Sequence, residues 1–511
     1  MRSDPDILIV GAGMGGASLA YAMKDTCLRI HVLERGGYLP REPQNSSVEE
    51  VFHRKRYRSV DLWTDEAGNP FNPGIHYYVG GNTKVYGATM MRLRERDFDW
   101  LEHEDGMSPA WPIAYADLEP YYSRAEIMMG TRGAIGADPT EPLHSSAYPF
   151  PAIGHDPGVA ELVRGLQGQG LHPFPLPVSI QQGGGGACVR CMTCDGFPCR
   201  YDAKGDAENR CLRPAMATGN VTLETNARVL RIVTSQNGRT VTGVEVDAGG
   251  ELAVRRAPIV VLAAGAINSA ALLLRSATDK HPRGLANGSD QVGRNYMAHN
   301  PTAVMAVNPR RTGVTYQKTF GVNDYYFGMP GYPKPMGNLQ MLGKLQAGML
   351  TASVRFVPRP AMEAVARRSF DWYVMSEDLP TAENRVVLDG STIRLIYRQN
   401  NMKPHRLLVR EVGRMMRRLG SPLVLSKWLG LQTTSHQCGT VRFGDDPATS
   451  VLDPFCKTWE IDNLYVVDGG FFPSSAAVNP ALTIAAQALR VGNHLREKLG
   501  IAEAKLGSVF P

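Results

Sequence analysis

The sequence predicts an α/β fold, α+β overall, in which a discontinuous Rossmann-like nucleotide-binding domain stands beside a sheet-based second domain. The chain has 511 residues, more than one ordinary hydrophobic core accommodates, so two closely connected domains are expected. A β-α-β pattern opens the chain, and strand-like apolar segments return in its middle and near its end. We therefore predict that the nucleotide-binding domain is assembled from distant segments.

The opening pattern covers residues 7–34. Residues 7–10 are a short apolar run, residues 17–24 have the spacing of a helix, and residues 29–34 form a second apolar run that ends in an acid. This order predicts a β-α-β unit, which is half of a nucleotide-binding sheet.

Later segments are expected to rejoin that sheet. Turn pairs such as Asn237-Gly238 separate several apolar runs in the middle of the chain. The strands predicted there are 221–223, 227–233, 241–246 and 259–264. A strand at 464–467 and a helix at 480–498 are predicted to complete the domain.

Two intervening stretches are richer in aromatic residues, Pro and Met and are assigned to the second domain. The strands expected in it lie near 301–308, 349–357, 384–398 and 450–461. The predicted nucleotide-binding domain comprises residues 1–100, 216–299 and 461–511, and the second domain comprises residues 101–215 and 300–460.

Composition excludes several classes of protein. With 43% apolar and 20% charged residues the chain matches a globular protein. No run approaches the roughly 18 uncharged apolar residues of a membrane span. The formal charge of +6 is mild and the basic residues are scattered, which argues against nucleic-acid binding. Residues 1–6 lead into the first strand without a secretory signal pattern, so cytoplasmic residence is expected.

A dinucleotide fingerprint follows the first strand. Gly11, Gly13 and Gly16 form G-x-G-x-x-G at the start of a helix, where a pyrophosphate can approach the backbone. Glu34, at the end of the second strand, is placed to bind ribose hydroxyls and disfavours a 2′-phosphate. FAD or NAD therefore fits better than NADP. The alternative is a tight strand-to-helix turn that binds no ligand.

Two further segments favour FAD over NAD. One is Glu34-Arg35-Gly36-Gly37, directly after the second strand. The other, residues 259–269, resembles the strand and turn found late in the FAD-binding domain of many two-domain flavoproteins. FAD is the predicted cofactor.

Three landmarks beyond these glycines, and a set of matches near the C-terminus, resemble the glucose-methanol-choline (GMC) oxidoreductase family. Residues 79–98 resemble its glycine-rich flavin loop, residues 111–126 its next landmark, and Val292-Gly293-Arg294-Asn295 with His299 a third. The most diagnostic matches lie near the C-terminus, at His436-Gln437-Cys438-Gly439-Thr440, Asp453, Leu464 to Gly469, Val478-Asn479-Pro480 and Thr483.

The resemblance implies a discontinuous FAD-binding domain, a sheet-based substrate domain and a set of cofactor-binding positions. These are Gly11, Gly13, Gly16, Glu34, Arg35, Gly81, Asn82, Val85, Val229, Ala264, Asp468, Gly469 and Asn479. Some sugar-oxidising members attach FAD through a histidine in the loop that matches residues 79–87. This loop contains no histidine, so non-covalent FAD is expected.

The resemblance also implies that His436 and Asn479 face the flavin ring. Oxidising an alcohol requires removal of the hydroxyl proton as hydride moves to flavin N5, and a neutral histidine suits that task. We expect His436 to be the base and Asn479 to orient the substrate oxygen. The predicted activity is oxidation of an alcohol to an aldehyde or ketone. A sugar, cyclitol or other polyol is the first expectation for the substrate, and a lipid or aromatic alcohol is the second. His299 is left out of the catalytic set.

A polar, aromatic stretch is a candidate for the substrate-facing wall, although it suits an ordinary solvated loop equally well. Its residues are Gln317, Lys318, Asn323, Asp324, Tyr325, Asn338 and Gln340.

Four cysteines are bunched at Cys188, Cys191, Cys194 and Cys199. Their spacing resembles half of a bacterial ferredoxin run, but four residues precede the last cysteine and Pro198 comes before it. Three interpretations stay open, in order of preference: a metal-free reduced cluster or local disulfide, an iron-sulfur cluster, and a zinc site.

Two competing functions are a flavin monooxygenase or desaturase, and an iron-sulfur flavoprotein that passes electrons to a protein partner. Dependence on NAD(P)H would favour the first, and iron content without alcohol turnover the second. The sequence leaves open whether the electron acceptor is oxygen, a quinone or a protein, because small changes in access to the flavin decide it.

Overall fold

The computed structural model describes residues 4–182, 187–351, 358–431 and 436–502 and has the predicted mixed α/β architecture. Strands and α-helices are numbered in chain order, β1 to β22 and α1 to α9. Within the described residues, no helix combines the length and the apolar character needed to cross a bilayer.

A parallel sheet forms the centre of the nucleotide-binding fold. Its strands, given from one edge to the other, are β10 (Val221–Glu224), β2 (Ile30–Leu33), β1 (Ile7–Val10), β14 (Ile259–Leu262) and β22 (Leu464–Val466). Apart from His31 in β2, the three inner strands are apolar and mostly buried, as expected of a parallel sheet covered on both faces. The chain leaves β1 toward β2 and returns at β14, so a crevice opens at the carboxyl end of β1.

Three helices accompany this sheet: α1 (Met14–Ala22), α5 (Ala266–Arg275) and α9 (Ala481–Lys498). Helices α1 and α9 approach so closely that a Cβ atom at Gly492 would lie 2.5 Å from the Cβ of Ala22. The predicted first strand, first helix and last helix are confirmed to within a few residues.

One part of the predicted sheet is wrong. The segments predicted at 227–233 and 241–246 do not rejoin the parallel sheet but form an antiparallel meander with a strand that was not predicted. The three strands are β11 (Ala227–Thr234), β12 (Val241–Ala248) and β13 (Glu251–Arg256). The physical reason is connection length, because parallel neighbours need a crossover of a dozen or more residues and these loops are hairpins.

An antiparallel sheet forms the second layer of the molecule. Its strands in order are β21 (Leu423–Trp428), β15 (Asn300–Val307), β18 (Ser369–Ser376), β17 (Asn338–Met341), β16 (Phe320–Val322) and β9 (Phe174–Pro175). Helix α8 (Met402–Arg418) contributes Leu408, Val412 and Met415 to a core shared with Trp372 of β18.

The remaining elements complete the fold. They are the helices α2 (Tyr115–Met129), α3 (Pro157–Gln167), α4 (Arg213–Met216), α6 (Ala347–Thr351) and α7 (Arg359–Ala366), and the strands β3 (Trp63–Thr64), β4 (Pro70–Phe71), β5 (Leu101–Glu102), β6 (Met107–Ser108), β7 (Arg132–Gly133), β8 (Phe150–Pro151), β19 (Arg385–Asp389) and β20 (Thr392–Ile396). Strands β19, β20, β3 and β4 share one sheet, which joins segments that the sequence assigned to different domains. The domain bounds stay a prediction.

Two predicted strands of the second domain are wrong. In the first, predicted at 349–357, residues 349–351 belong to helix α6, and 352–357 lie outside the described residues. Residues 450–461 make isolated bridges instead of a strand. A turn interrupts that extended run, because the Asp453 carboxylate accepts hydrogen bonds from the amides of Phe455 and Lys457.

Candidate active site

The three glycines in the turn after β1 have two different surroundings. Two of them lie against neighbouring backbone, and the third faces open space. Gly11 has φ +107°, and a Cβ there would lie 2.3 Å from the Ala263 carbonyl oxygen and 3.0 Å from the Ala264 nitrogen. A Cβ at Gly16 would lie 2.0 Å from the Gly11 oxygen. A Cβ at Gly13 would meet no atom within 4 Å. The outer two glycines thus permit strand-helix packing, whereas Gly13 borders free space at the helix N-terminus.

Glu34 ties this turn to the end of β2. Its Oε2 accepts the amide of Ala12 at 2.9 Å and its Oε1 accepts the amide of Gly36 at 2.9 Å. The side chain is buried, and burial raises the pKa of its carboxyl. Each oxygen keeps a further lone pair for a ligand hydroxyl, so the predicted ribose contact is compatible with these bonds.

The glycine-rich loop lies directly on the first turn. The amide of Gly80 donates to the Ala12 carbonyl at 3.0 Å, and a Cβ at Gly81 would lie 3.2 Å from the Gly13 Cα. Asn82 holds the loop in place, because its Oδ1 accepts the His76 amide at 2.9 Å and its carbonyl accepts the amide of Val85 at 3.1 Å.

Two other predicted cofactor positions lie near the end of β2. The Arg35 guanidinium is 3.6 Å from the centre of the Tyr77 ring and donates to Asp61 at 3.1 and 3.3 Å. Val229 is in β11, whose first residue, Ala227, donates its amide to the Glu34 carbonyl at 2.9 Å. Strand β11 therefore begins beside Glu34, and Val229 is the third residue of this strand.

Asp468 connects the C-terminal segment to the same crevice. It is buried, its Oδ2 accepts the amide of Gly265 at 3.0 Å and the hydroxyl of Ser269, and its Oδ1 accepts the amide of Gly470 at 2.9 Å. Burial raises the pKa of its carboxyl. The next residue, Gly469, accepts the amide of Gly439 through its carbonyl at 3.1 Å, which places the segment that carries His436 beside the crevice.

The structure brings His436 together with Asn479, 43 positions further along the chain. The Nε2 of His436 lies 3.4 Å from the amide nitrogen of Asn479, and its Nδ1 lies 3.2 Å from the Nδ1 of His299. The Nε2 of His299 in turn lies 2.9 Å from the carbonyl oxygen of Ser475. These contacts form one continuous chain of hydrogen bonds.

The direction of that chain fixes both histidine tautomers. Since the Ser475 carbonyl can only accept, the Nε2 of His299 carries hydrogen, and the Nδ1 of a neutral His299 accepts. The Nδ1 of His436 must then donate, which leaves the lone pair of His436 on Nε2. Sequence reasoning omitted His299, although its match to the third family landmark was the signal that could have found it.

Thr89 and Gln340 fix the other end of this chain of hydrogen bonds. The Thr89 hydroxyl donates to the Gln340 Oε1 at 3.1 Å, and the Gln340 amide donates to the Asn479 Oδ1 at 2.9 Å. This orientation turns the Asn479 amide nitrogen toward His436. The Tyr373 ring packs edge-on against His436, with ring centres 6.3 Å apart.

Electrostatics keep both histidines neutral. Burial, the largest cause, holds the pKa of His436 well below its usual value of 6.5, and the charge of Lys318 acts in the same direction. Burial also lowers the pKa of His299, partly opposed by the carboxylate of Asp378. A neutral His436 with its lone pair on Nε2 is the form that a proton acceptor requires.

The structure separates the candidate wall residues into two groups. Gln340 and Lys318 belong to the surroundings of His436, through the Asn479 bond and the effect on the His436 pKa. Asp324 instead contacts the exposed His172, at 2.6 Å, and Asn323 bonds to Asn338 at 2.7 Å. Thr89 and Tyr373 were not predicted, because their contacts depend on tertiary structure.

The bunched cysteines have ordinary polar contacts. The Cys191 sulfur lies 2.9 Å from the Thr193 hydroxyl, and the Cys188 sulfur lies 3.7 Å from the amide nitrogen of Gln182. Burial raises the pKa of the Cys194 thiol to about 12. Among the described residues, no group of three or more His, Cys, Asp or Glu side chains has an arrangement that could hold a metal ion.

Comparisons with known proteins identify the family of this chain. Sequence models described as GMC oxidoreductase match residues 6–301 and 425–488. The chain is 31% identical to 6'''-hydroxyparomomycin C oxidase of Streptomyces lividus, over 98% of this chain and 92% of that protein. It is also 31% identical to paromamine 6'-oxidase of Streptomyces fradiae, over 95% of this chain and 90% of that protein.

A solved structure shows the same fold. Pyridoxine 4-oxidase from Mesorbium loti superimposes with a TM-score of 0.69 at 18% identity, over 97% of this chain and 99% of that one. Members of the matched family bind FAD. The predicted family and the predicted class of enzyme are confirmed, and the chain belongs to the GMC oxidoreductase family of FAD-dependent alcohol oxidoreductases.

Proposed function

We propose that this enzyme oxidises a carbinol of a sugar, cyclitol or other polyol to an aldehyde or ketone, with non-covalent FAD as the cofactor and His436 as the base. The observation that carries the proposal is the directed chain of hydrogen bonds, which leaves the lone pair of His436 on Nε2, beside Asn479. The names of the two Streptomyces relatives support a hydroxyl-rich substrate.

The crevice residues fit FAD. Helix α1 begins at Met14 without a side-chain cap, and Gly13 borders open space, which suits an approaching pyrophosphate. Glu34 has lone pairs left for ribose hydroxyls, and residues 79–87 contain no histidine for covalent attachment. When bound, FAD supplies a two-electron acceptor for the carbinol hydride.

The side chains supply the rest of the chemistry. His436 takes the hydroxyl proton on Nε2 while the carbinol carbon loses its hydride, so the C–O single bond becomes a carbonyl. The Asn479 amide donates to the same oxygen and stabilises its negative charge. Its present contact with His436 is long, at 3.4 Å, so a substrate oxygen can take its place. His299 accepts from Nδ1 throughout, which holds the ring orientation as His436 becomes charged.

The test is anaerobic reduction of the bound flavin by a panel of sugars, cyclitols, aliphatic and aromatic alcohols. We expect polyols to bleach the flavin band of the wild type, and His436→Ala to retain flavin but react about 10²- to 10⁴-fold more slowly. His172→Ala, which removes an exposed histidine of the same domain, is the matched control. Near-normal reduction of His436→Ala, or no bleaching by any alcohol, would overturn the proposal.

A further inference from the structure

The cysteine-rich segment has a structural role beside the flavin loop. The amide of Gly196 donates to the carbonyl of Val85 at 2.8 Å. The buried ammonium of Lys204 donates to the carbonyls of Tyr86 and Cys194, at 2.8 and 3.1 Å. These bonds fasten the segment to the loop and fix the position of Asp195, which lies between Cys194 and Gly196.

Asp195 forms an ion pair with Lys318. The Lys318 Nζ lies 2.6 Å from the Asp195 Oδ1, and the other carboxylate oxygen accepts the amide of Gly343. The Lys318 side chain is 5% exposed and the Asp195 side chain 21% exposed. The pair lies directly over Gly87, where a Cβ would be 1.8 Å from Oδ1 and 2.1 Å from Nζ. Glycine at position 87 therefore keeps room for the pair.

Three observations place this pair on the wall of the His436 site. Asp195 accepts the amide of Gly343, which follows the end of β17, the strand that carries Gln340. Gln340 lies opposite Tyr373 of β18, whose ring packs edge-on against His436. Thr89, two residues after Gly87, begins the chain of hydrogen bonds to Asn479. The same loop thus lies beneath the ion pair, at Gly87, and supports the Asn479 amide through Thr89.

The chemistry of the pair suits a hydroxyl group. Each Asp195 oxygen has a lone pair left after its bond to Lys318 or Gly343, and the ammonium has three donors. One hydroxyl can therefore donate to the carboxylate and accept from the ammonium. Since the two charges neutralise each other, a neutral group is preferred there over an ammonium or a carboxylate.

We propose that Asp195 and Lys318 bind a second hydroxyl of the substrate, so that the enzyme selects polyols over alcohols with a single hydroxyl. This inference rests on the proposed function, because it names what the same site recognises. In this proposal the cysteine-rich segment has a role that needs no metal, because it positions Asp195 in the active site.

The test compares two matched pairs of probes by anaerobic flavin reduction. Myo-inositol is paired with cyclohexanol, and methyl α-D-glucopyranoside with cyclohexanemethanol, so that each pair differs in its additional hydroxyls. In the pair that the wild type oxidises, we compare the limiting rate of flavin reduction divided by the dissociation constant of the probe. We expect this ratio to be higher for the polyol than for the alcohol with one hydroxyl. In Asp195→Asn and Lys318→Met, this preference should fall at least 10-fold.

Lys403→Met is the control, since it removes the same side chain from a different lysine–carboxylate ion pair, with Glu104. It should keep the polyol preference, and flavin content and melting temperature report folding for all variants. A preference that stays within twofold in Asp195→Asn would overturn the inference while the proposed function stands. If no probe or other alcohol reduces the wild-type flavin, the proposed function fails and this inference fails with it.

Discussion

The parallel and antiparallel sheets build their halves of the site by different means. Around the parallel sheet, absent side chains and backbone amides shape the crevice, as Gly11, Gly13 and Gly16 show. Beside the antiparallel sheet, the site is made of side chains such as Gln340 and Lys318. A site made of backbone tolerates almost no change, whereas a wall of side chains can be altered one residue at a time. We infer that cofactor binding is the constant part of this molecule and substrate recognition the adjustable part.

The largest expected loss of stability comes from a change in the glycine turn beside the parallel sheet. Gly16→Ala would place its Cβ 2.0 Å from the Gly11 oxygen, in backbone that has no room to yield. We expect a loss of about 3 kcal/mol or more in the free energy of unfolding, and little folded flavoprotein. Thermal denaturation and flavin absorbance measure both effects.

Gly13→Ala sharpens the same experiment, because its Cβ meets no protein atom within 4 Å. The variant should fold with a nearly normal melting temperature in the absence of FAD and should bind FAD weakly, since the methyl group occupies the space meant for the pyrophosphate. Equal stability losses in Gly13→Ala and Gly16→Ala would contradict this division of roles.

The same difference explains how much of the molecule could be predicted from the sequence. Glycine spacing and apolar runs follow local rules, so the first β-α-β unit and the C-terminal helix were predicted close to their observed positions. The pair of His436 and Asn479 was predicted from family landmarks, and the structure shows the two side chains in contact.

The side-chain half resisted prediction because its contacts join distant segments. Strand β18, which supplies Tyr373, was not predicted, and a strand was expected instead near 349–357. Asp195 was not predicted, because its segment drew attention only through its cysteines and its partner Lys318 is 123 positions away. His299 was seen but set aside, since neither its bond to His436 nor its φ of +64° can be read from a sequence.

His299 tests whether a positioning residue on the substrate side matters as much as a cofactor glycine. His299→Leu removes the acceptor for the His436 Nδ1, and we expect flavin reduction to slow about 10²-fold because the base loses its orientation. His299→Asn should recover most of the rate, since an amide oxygen can accept in the same place and asparagine tolerates a positive φ.

The pH profile separates this role from a merely structural one. His436 acts as a base only when neutral, and its pKa lies below 6.5, so the wild-type rate should fall only at pH values under 6.5. A neutral His299 accepts a hydrogen bond from the Nδ1 of His436, which stabilises the protonated ring and opposes the effect of burial on the pKa. In His299→Leu the acidic limb should therefore move further down in pH. A slower enzyme with an unmoved limb would indicate that His299 acts only through packing.

The smallest expected effect comes from Gln340, which touches Asn479 but not His436. Gln340→Met leaves the Asn479 Oδ1 and the Thr89 hydroxyl without their partner, at a cost of about 1 to 3 kcal/mol in the free energy of unfolding. The Asn479 amide can then rotate, and we expect a several-fold slower flavin reduction, well short of the His299→Leu effect.

Asn338→Leu is the control for this last variant. It removes an amide from the same strand and the same face, but its partner is Asn323 and not Asn479. Both variants should lose comparable stability, measured by thermal denaturation, while only Gln340→Met slows flavin reduction. If both slowed it equally, the rate would depend on the integrity of the sheet as a whole. The antiparallel half would then be as intolerant of change as the glycine turn, and the distinction between a constant and an adjustable half would fail.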